Sequence, residues 1–253
     1  MKKPLADNSI TQLPNYFLKM GQQLWLKLIR FGFRLLYNEL AWTYDAVSWL
    51  VSLGHWRAWQ QAALPFVTGE RVLEIGHGPG HMLAALQAQP RSVVGLDLSP
   101  YMGRLARRRL GARVPLVCGL VQQLPWRSAV FDTILSTFPT EYIVAPATVA
   151  ALYRVLKPDG RLVIVPEGHL TGHGLLHRLI DWLFAITGQR TAPFDFIEEE
   201  LWAHFTWPFH EAGFAVVVHT VSLPGSAVTV IVAIKPNMIQ GIKHSPNGRR
   251  LVQ

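Results

Sequence analysis

A single cysteine, Cys118, in 253 residues excludes a disulfide framework and fits a reducing compartment. It falls inside a predicted strand and reads as a small buried apolar side chain rather than a nucleophile. Long hydrophobic runs are also missing. No stretch of 18 uncharged apolar residues occurs, so a spanning helix is not expected. Nor is a secretory leader expected, because no short uncharged core precedes a small-residue cleavage site. Together these absences read as a cytoplasmic protein. Acidic residues are lacking from Lys235 to the end, where Lys235, Lys243, Arg249 and Arg250 stand alone. That end carries half of the formal net charge of +8, and residues 1–40 carry the other half through Lys2, Lys3, Lys19, Lys27, Arg30 and Arg34. A basic fringe on a neutral body points to an anionic surface partner, or simply to solubility.

What is present is a half-apolar composition with nine tryptophans, long enough to bury a sizeable core. The chain is organised around Arg71 to Leu83. Val72, Leu73 and Ile75 suit a buried parallel strand. Gly76, Gly78 and Gly80 follow at every second position, and Met82 begins a helical pattern. Glycine admits φ > 0 and lets a ligand approach the backbone. A helix N-terminus behind such a loop presents free N–H groups. The loop has no lysine and is not G-x-G-x-x-G, so it suits a nucleoside with a small charged tail better than a di- or triphosphate.

Short apolar strands then alternate with helical stretches over 71–75, 80–89, 92–97, 100–110, 114–118, 131–136, 147–156 and 161–166. This alternation predicts a parallel sheet covered on both faces, with ligands beyond the strands' carboxyl ends. Asp97 stands at one such end, where a carboxylate can grip two ribose hydroxyls. Glu198 to Gly213 reads as a helix, and Phe214–Ser222 with Ala227–Ile234 as a hairpin turning at Pro224-Gly225.

The series Glu74, Gly76, Gly78, Gly80, then Asp97, Leu124-Pro125-Trp126, Phe131-Asp132 and Leu156-Lys157-Pro158-Asp159-Gly160 resembles the class I S-adenosylmethionine-dependent methyltransferases. The segment Tyr44-Asp45 through Ser52-Leu53-Gly54 to Trp56-Arg57 is similar to that of ubiquinone- and menaquinone-biosynthesis methyltransferases and related phospholipid N-methyltransferases. The likeness runs from about Tyr44 to Lys235. It implies an α/β fold, a doubly wound, mostly parallel seven-stranded Rossmann-like sheet with an N-terminal helical cap and a terminal antiparallel hairpin. The expected organisation is a loose arm over 1–15, an amphipathic helical cap over 16–64, a cofactor-binding domain over 65–235 and a disordered basic tail over 236–253.

The cofactor implied is S-adenosyl-L-methionine. The resemblance places Gly76, His77, Gly78 and Gly80 beside its methionine part, Glu74 fixing the loop, and Asp97 on the ribose. Leu98, Met102, Leu120 and Val121 would flank the adenine, and Thr137, Tyr142 and Tyr44 the methyl-transfer side. One departure stands out: the family's Gly-Asp-Ala is here Gly119-Leu120-Val121. A leucine cannot accept the adenine amino hydrogen bond, which contributes about 0.5–1.5 kcal/mol.

The acceptor is expected to be a hydrophobic small molecule or lipid-like, methylated by in-line displacement that rests mainly on alignment. If the acceptor must lose a proton, His77, His81, Glu141 and His169 are the candidate bases. His169, His173, His177 and Asp181 recur every fourth residue, but Gly168, Gly172 and Gly174 break that helix, so no metal site is predicted. A polar substrate mouth remains one reading, locally bonded histidines another. Residues 16–38 combine a broad apolar face with a basic stripe, which fits either a helix lying in an anionic membrane interface or a cap packed on the domain. Arg104 to Arg113 read as a solvated basic face, and nucleic acid is not an expected partner. The alternative to an enzyme is a non-catalytic membrane-peripheral or partner-binding protein that kept the fold.

Overall fold

The computed structural model describes residues 27–28, 31–32, 34–171 and 198–237. The expected arm over 1–15, the tail beyond 237, and His173, His177 and Asp181 lie outside the described residues.

The chain enters through helical residues 34–37 and a 3-10 turn, Ala41–Thr43, into α1 (Tyr44–Val51) and α2 (Trp56–Gln61). Strands and helices then alternate: β1 (Arg71–Ile75), α3 (His81–Gln87), β2 (Ser92–Asp97), α4 (Pro100–Leu110), β3 (Leu116–Cys118), β4 (Phe131–Thr137), α5 (Pro146–Val155) and β5 (Leu156–Val165). After β6 (Gly168–Leu170) come α6 (Glu198–Glu211) and the hairpin β7 (Ala215–Leu223) and β8 (Ser226–Ile234).

The sheet runs β3-β2-β1-β4-β5-β8, parallel up to β5 and antiparallel at β8, with β7 closing the far edge. Among the described residues eight strands form it, one more than the seven expected. The extra strand, β6, pairs with Ser226–Val228 of β8, while β5 pairs with Ile231–Ile234. The two therefore share one edge of β8 as a single interrupted column.

Side chains alternate across the pleat, as a doubly covered sheet requires. Val72, Leu135 and Val163 join Met82, Leu83 and Trp59 on one face. Leu73, Ile134 and Leu162 join Leu152, Trp202 and Phe209 on the other. Glu74 shares the parity of Val72 and so points toward α3. His169 lies on a strand, not on a helix. Cys118 is exposed, not buried, because β3 is the sheet's edge and packs on one side only.

Candidate active site

The carboxyl ends of β1, β2 and β4 open onto a cavity of about 420 Å³, within the range of small-molecule sites. Its floor is built locally. Gly76 (φ +68) and Gly78 (φ +52) line it, and a Cβ on Gly76 would sit 2.9 Å from the Tyr142 hydroxyl. Gly80 does not reach the cavity. It is the left-handed N-cap of α3, and a Cβ there would approach Ala106 of α4 to 3.0 Å. Its role is close packing of loop on helix.

Asp97 ends β2 at the cavity wall. Its Oδ2 accepts the Gly78 N–H and its Oδ1 the Ser99 N–H, both at 2.8 Å. A carboxylate has about four lone-pair sites, so each oxygen keeps capacity toward the cavity. Glu74 is fully buried beneath the loop. Burial pushes its carboxyl well above the usual carboxylate range, the charge of Asp97 adds to this, and a backbone hydrogen bond from Leu83 in the first turn of α3 opposes it.

Leu98, Leu120 and Val121 flank the cavity, as does Thr137, whose hydroxyl accepts from Gln60 Nε2 at 3.2 Å. Met102 is buried in α4 and does not line it. Neither does His77. Its ring lies over Gly95 of β2, where a Cβ would come within 2.8 Å of the imidazole, and its Nδ1 is 2.7 Å from the Gly78 carbonyl. Burial lowers its pKa, keeping the imidazole neutral. Glu141 is exposed in the turn Glu141–Val144, and Glu141 and His169 are both absent from the cavity wall. His81 is engaged by Asp45 at 2.7 Å.

The opposite wall is aromatic. Tyr44 lines it with Tyr37 (ring centroids 5.9 Å apart), Tyr142 and Phe138. Burial first, and Asp97 second, raises the Tyr37 hydroxyl to about 12. Burial raises that of Tyr142 to about 12 as well, against a hydrogen bond with Ser136 and with Asp97 among the charges adding to it. Phe138 stacks on Trp56 at 4.0 Å and holds φ +51, a conformation strained for a bulky side chain and typical of functional sites.

Arg34, Tyr37 and Asn38 were missed by sequence reading as cavity residues, and so was Gln122. The first three arrive from the chain before α1, held where Ser99 Oγ donates to the Tyr37 carbonyl at 2.6 Å. No local spacing signals that contact.

The methyltransferase-domain family matches residues 73–164, from β1 to the end of β5. A demethylmenaquinone methyltransferase of Clavibacter sepedonicus is 31% identical over 222 residues, covering 79% of this chain and 89% of that protein. Another, from Symbiobacterium thermophilum, is 28% identical over 72% of this chain and 84% of its own length. A Methanococcus maripaludis S-adenosylmethionine-dependent methyltransferase structure shares the fold, with TM-score 0.55 and 20% identity over 78% of this chain and 93% of that one. Haemonchus contortus phosphoethanolamine N-methyltransferase 2, solved with S-adenosylhomocysteine, superposes with TM-score 0.52 at 19% identity, over 76% of this chain and 57% of its own. The chain is a class I S-adenosylmethionine-dependent methyltransferase. Within that class it belongs to the quinone-biosynthesis group.

Proposed function

We propose that the protein methylates a reduced, quinone-like aromatic ring bearing a hydrophobic tail, in the cavity between Asp97 and Tyr44. The observation that carries this reading is the cavity's split character. One wall is backbone and carboxylate, from Gly76, Gly78 and Asp97, and the other is a set of aromatic rings, Tyr37, Tyr44, Phe138 and Tyr142. The names of the similar proteins agree with a quinone acceptor.

The first wall fits S-adenosylmethionine. The open face of Gly78 leaves room for its methionine part, since a Cβ there would meet nothing within 4 Å. The spare lone pairs of Asp97 suit two ribose hydroxyls. When bound, the cofactor supplies an electrophilic methyl group on sulfur. The protein's part is to align, to exclude water and to surround a positive centre with ring faces, which attract cations.

Among the described residues the cavity wall carries no histidine, and Asp97 is its only carboxylate. The raised hydroxyls of Tyr37, Tyr44 and Tyr142 are poor proton acceptors at neutral pH. An acceptor that is already electron-rich suits such a site. A hydroquinone ring would be one. As its carbon takes the methyl, the carbon–sulfur bond would break with its electron pair staying on sulfur, and the proton of that ring carbon would be lost through the cavity mouth to bulk solvent.

The same reading includes a membrane surface as the place of work. The outer face of α1 is apolar: Trp49 is 63% and Leu50 64% exposed, and Trp42 just before it is 74% exposed. Arg108, on the exposed side of α4 with Arg104, borders the same depression as Trp42. Tryptophan beside arginine is the composition of an interfacial surface on anionic lipid. Among the described residues no helix is long and apolar enough to cross a membrane.

The test is methyl transfer from labelled S-adenosylmethionine to a short-chain demethylmenaquinol kept reduced, with the oxidised quinone as control. Label in the reduced ring and none in the quinone supports the proposal. Cofactor binding with no transfer to the reduced ring sinks it.

A further inference from the structure

The position that should recognise the adenine amino group is occupied by Leu120, an apolar side chain 45% exposed at the cavity wall. An adenine seated between Leu98 and Val121 would then present an N6 donor with no acceptor from that residue. A donor removed from water without a partner weakens binding.

We infer that Gln122 replaces the missing aspartate and reads the adenine amino group through its Oε1; the inference rests on the cofactor site proposed above. Gln122 lines the cavity from the short 3-10 turn Val121–Gln123, two residues beyond Leu120. In the structure its amide is turned so that Nε2 donates to Thr148 Oγ1 at 3.0 Å, and Thr148 is fully buried in the first turn of α5. With the nitrogen engaged on the α5 side, the carbonyl oxygen is left as the free end. Among the described residues nothing donates to it. An amide oxygen has two lone pairs and no charge, so it accepts from an amino group and has nothing to give to a 6-oxo group.

The chemistry therefore predicts a change of reader, not a loss of reading. Aspartate is an acceptor wherever its side chain turns. Glutamine is an acceptor only while its nitrogen is held elsewhere, because a flipped amide would offer N–H to N–H. Where it accepts from that nitrogen, Thr148 is a positioning residue for the nucleobase, acting through Gln122.

The experiment is calorimetric titration of the full chain with S-adenosylhomocysteine and with S-inosylhomocysteine, which carries an oxo group in place of the amino group. The variants are Gln122→Leu, Gln122→Glu and Thr148→Val, each checked for an unchanged melting transition. Wild type should prefer the adenosyl ligand by roughly three- to tenfold, the factor carried by one hydrogen bond. Gln122→Leu should bring the two ligands to within about twofold. Gln122→Glu should keep the preference, since the Thr148 hydroxyl can donate to one carboxylate oxygen while the other accepts. Thr148→Val should narrow the preference while leaving the cavity side chain in place, and it decides the matter if Gln122→Leu fails to fold. An unchanged ratio in both Gln122→Leu and Thr148→Val overturns the role of Gln122 alone. Failure of wild type to bind either ligand overturns the cofactor site itself.

Discussion

His81 Nε2 lies 2.7 Å from Asp45 Oδ1, while the other oxygen of Asp45 accepts from Arg109 at 2.9 Å. Arg109 also donates to the Pro79 carbonyl. One carboxylate on α1 therefore ties the cap to the glycine loop, α3 and α4 together. Burial lowers the pKa of His81 and outweighs the hydrogen bond it donates to Asp45, which raises it, so at neutral pH the contact is a neutral N–H donor to a carboxylate that Arg109 balances. Burial pushes the Asp45 carboxyl up, but His81 and Arg109 outweigh it and hold it below its ordinary value. A histidine with a depressed folded pKa takes up its proton more readily when unfolded. Stability should fall as pH drops below about 6.5, the free histidine value. A second loss should come below about 4, as Asp45 protonates. Thermal melts between pH 8 and 5 should show the first decline, and His81→Gln should reduce it, leaving the share that the buried His77 contributes.

Glu74 behaves with the opposite sign. Its folded pKa is raised, so the stability it contributes is full below about 4.3 and is lost as pH rises toward the folded value. Its Oε2 has no partner among the described residues. Glu74→Gln keeps an acceptor for Leu83 without a buried charge. The variant should stand closest to wild type near pH 4 and gain on it as pH rises, by about 1 kcal/mol or more. Denaturant titrations at several pH values measure the gap, and a gap that shrinks with rising pH would count against a neutral Glu74.

Asp97 holds the loop through Gly78 and, in the proposed site, would hold the ligand as well. Asp97→Ala should weaken S-adenosylmethionine binding about a hundredfold, the scale of two hydrogen bonds to a charged acceptor. It should also release the Gly78 N–H, seen as faster amide exchange at that residue. Asp97→Asn keeps an acceptor and should fall between.

Neither Glu141 nor His169 reaches the cavity, and His77 is spent on packing over Gly95. Glu141→Gln and His169→Gln should retain kcat within about threefold. A general base would cost a hundredfold or more. The pH–rate profile should follow ionisation of the acceptor and stay the same in both variants.

The α1 surface predicts binding to lipid vesicles. Co-sedimentation with vesicles containing phosphatidylglycerol should exceed that with neutral vesicles and weaken as salt rises. The double variant Trp42→Ser, Trp49→Ser should lose most of it while cofactor affinity is unchanged, since neither side chain lines the cavity.

Much of this architecture was legible in local pattern. The strand ending at Ile75, the glycine loop, Asp97 and the terminal hairpin each carry their signal within a few residues of sequence. The errors arose where long-range neighbours decide. His77 and His81 both looked ready for the cavity. Only the bare backbone of Gly95 shows where the first ring goes, and only Asp45, 36 residues upstream, claims the second. The glycines around His169 argue against a helix there, but only the edge of β8 shows that the segment is a strand. Cys118 looked buried because its run is apolar, but an edge strand leaves one side to solvent. Gln122 had no motif to announce it.

Ser99 joins two tasks in one hydroxyl. It accepts the Met102 N–H as the N-cap of α4 and donates to the Tyr37 carbonyl. The segment bearing Arg34, Tyr37 and Asn38 thus closes over the cavity through a bond to the residue that also touches Asp97. A molecule resting on Asp97 would lie beside this tie, so loosening the tie should ease exchange of a spent cofactor. Ser99→Ala should therefore shorten the residence time of S-adenosylhomocysteine more than it slows capture, making exchange the step this serine governs.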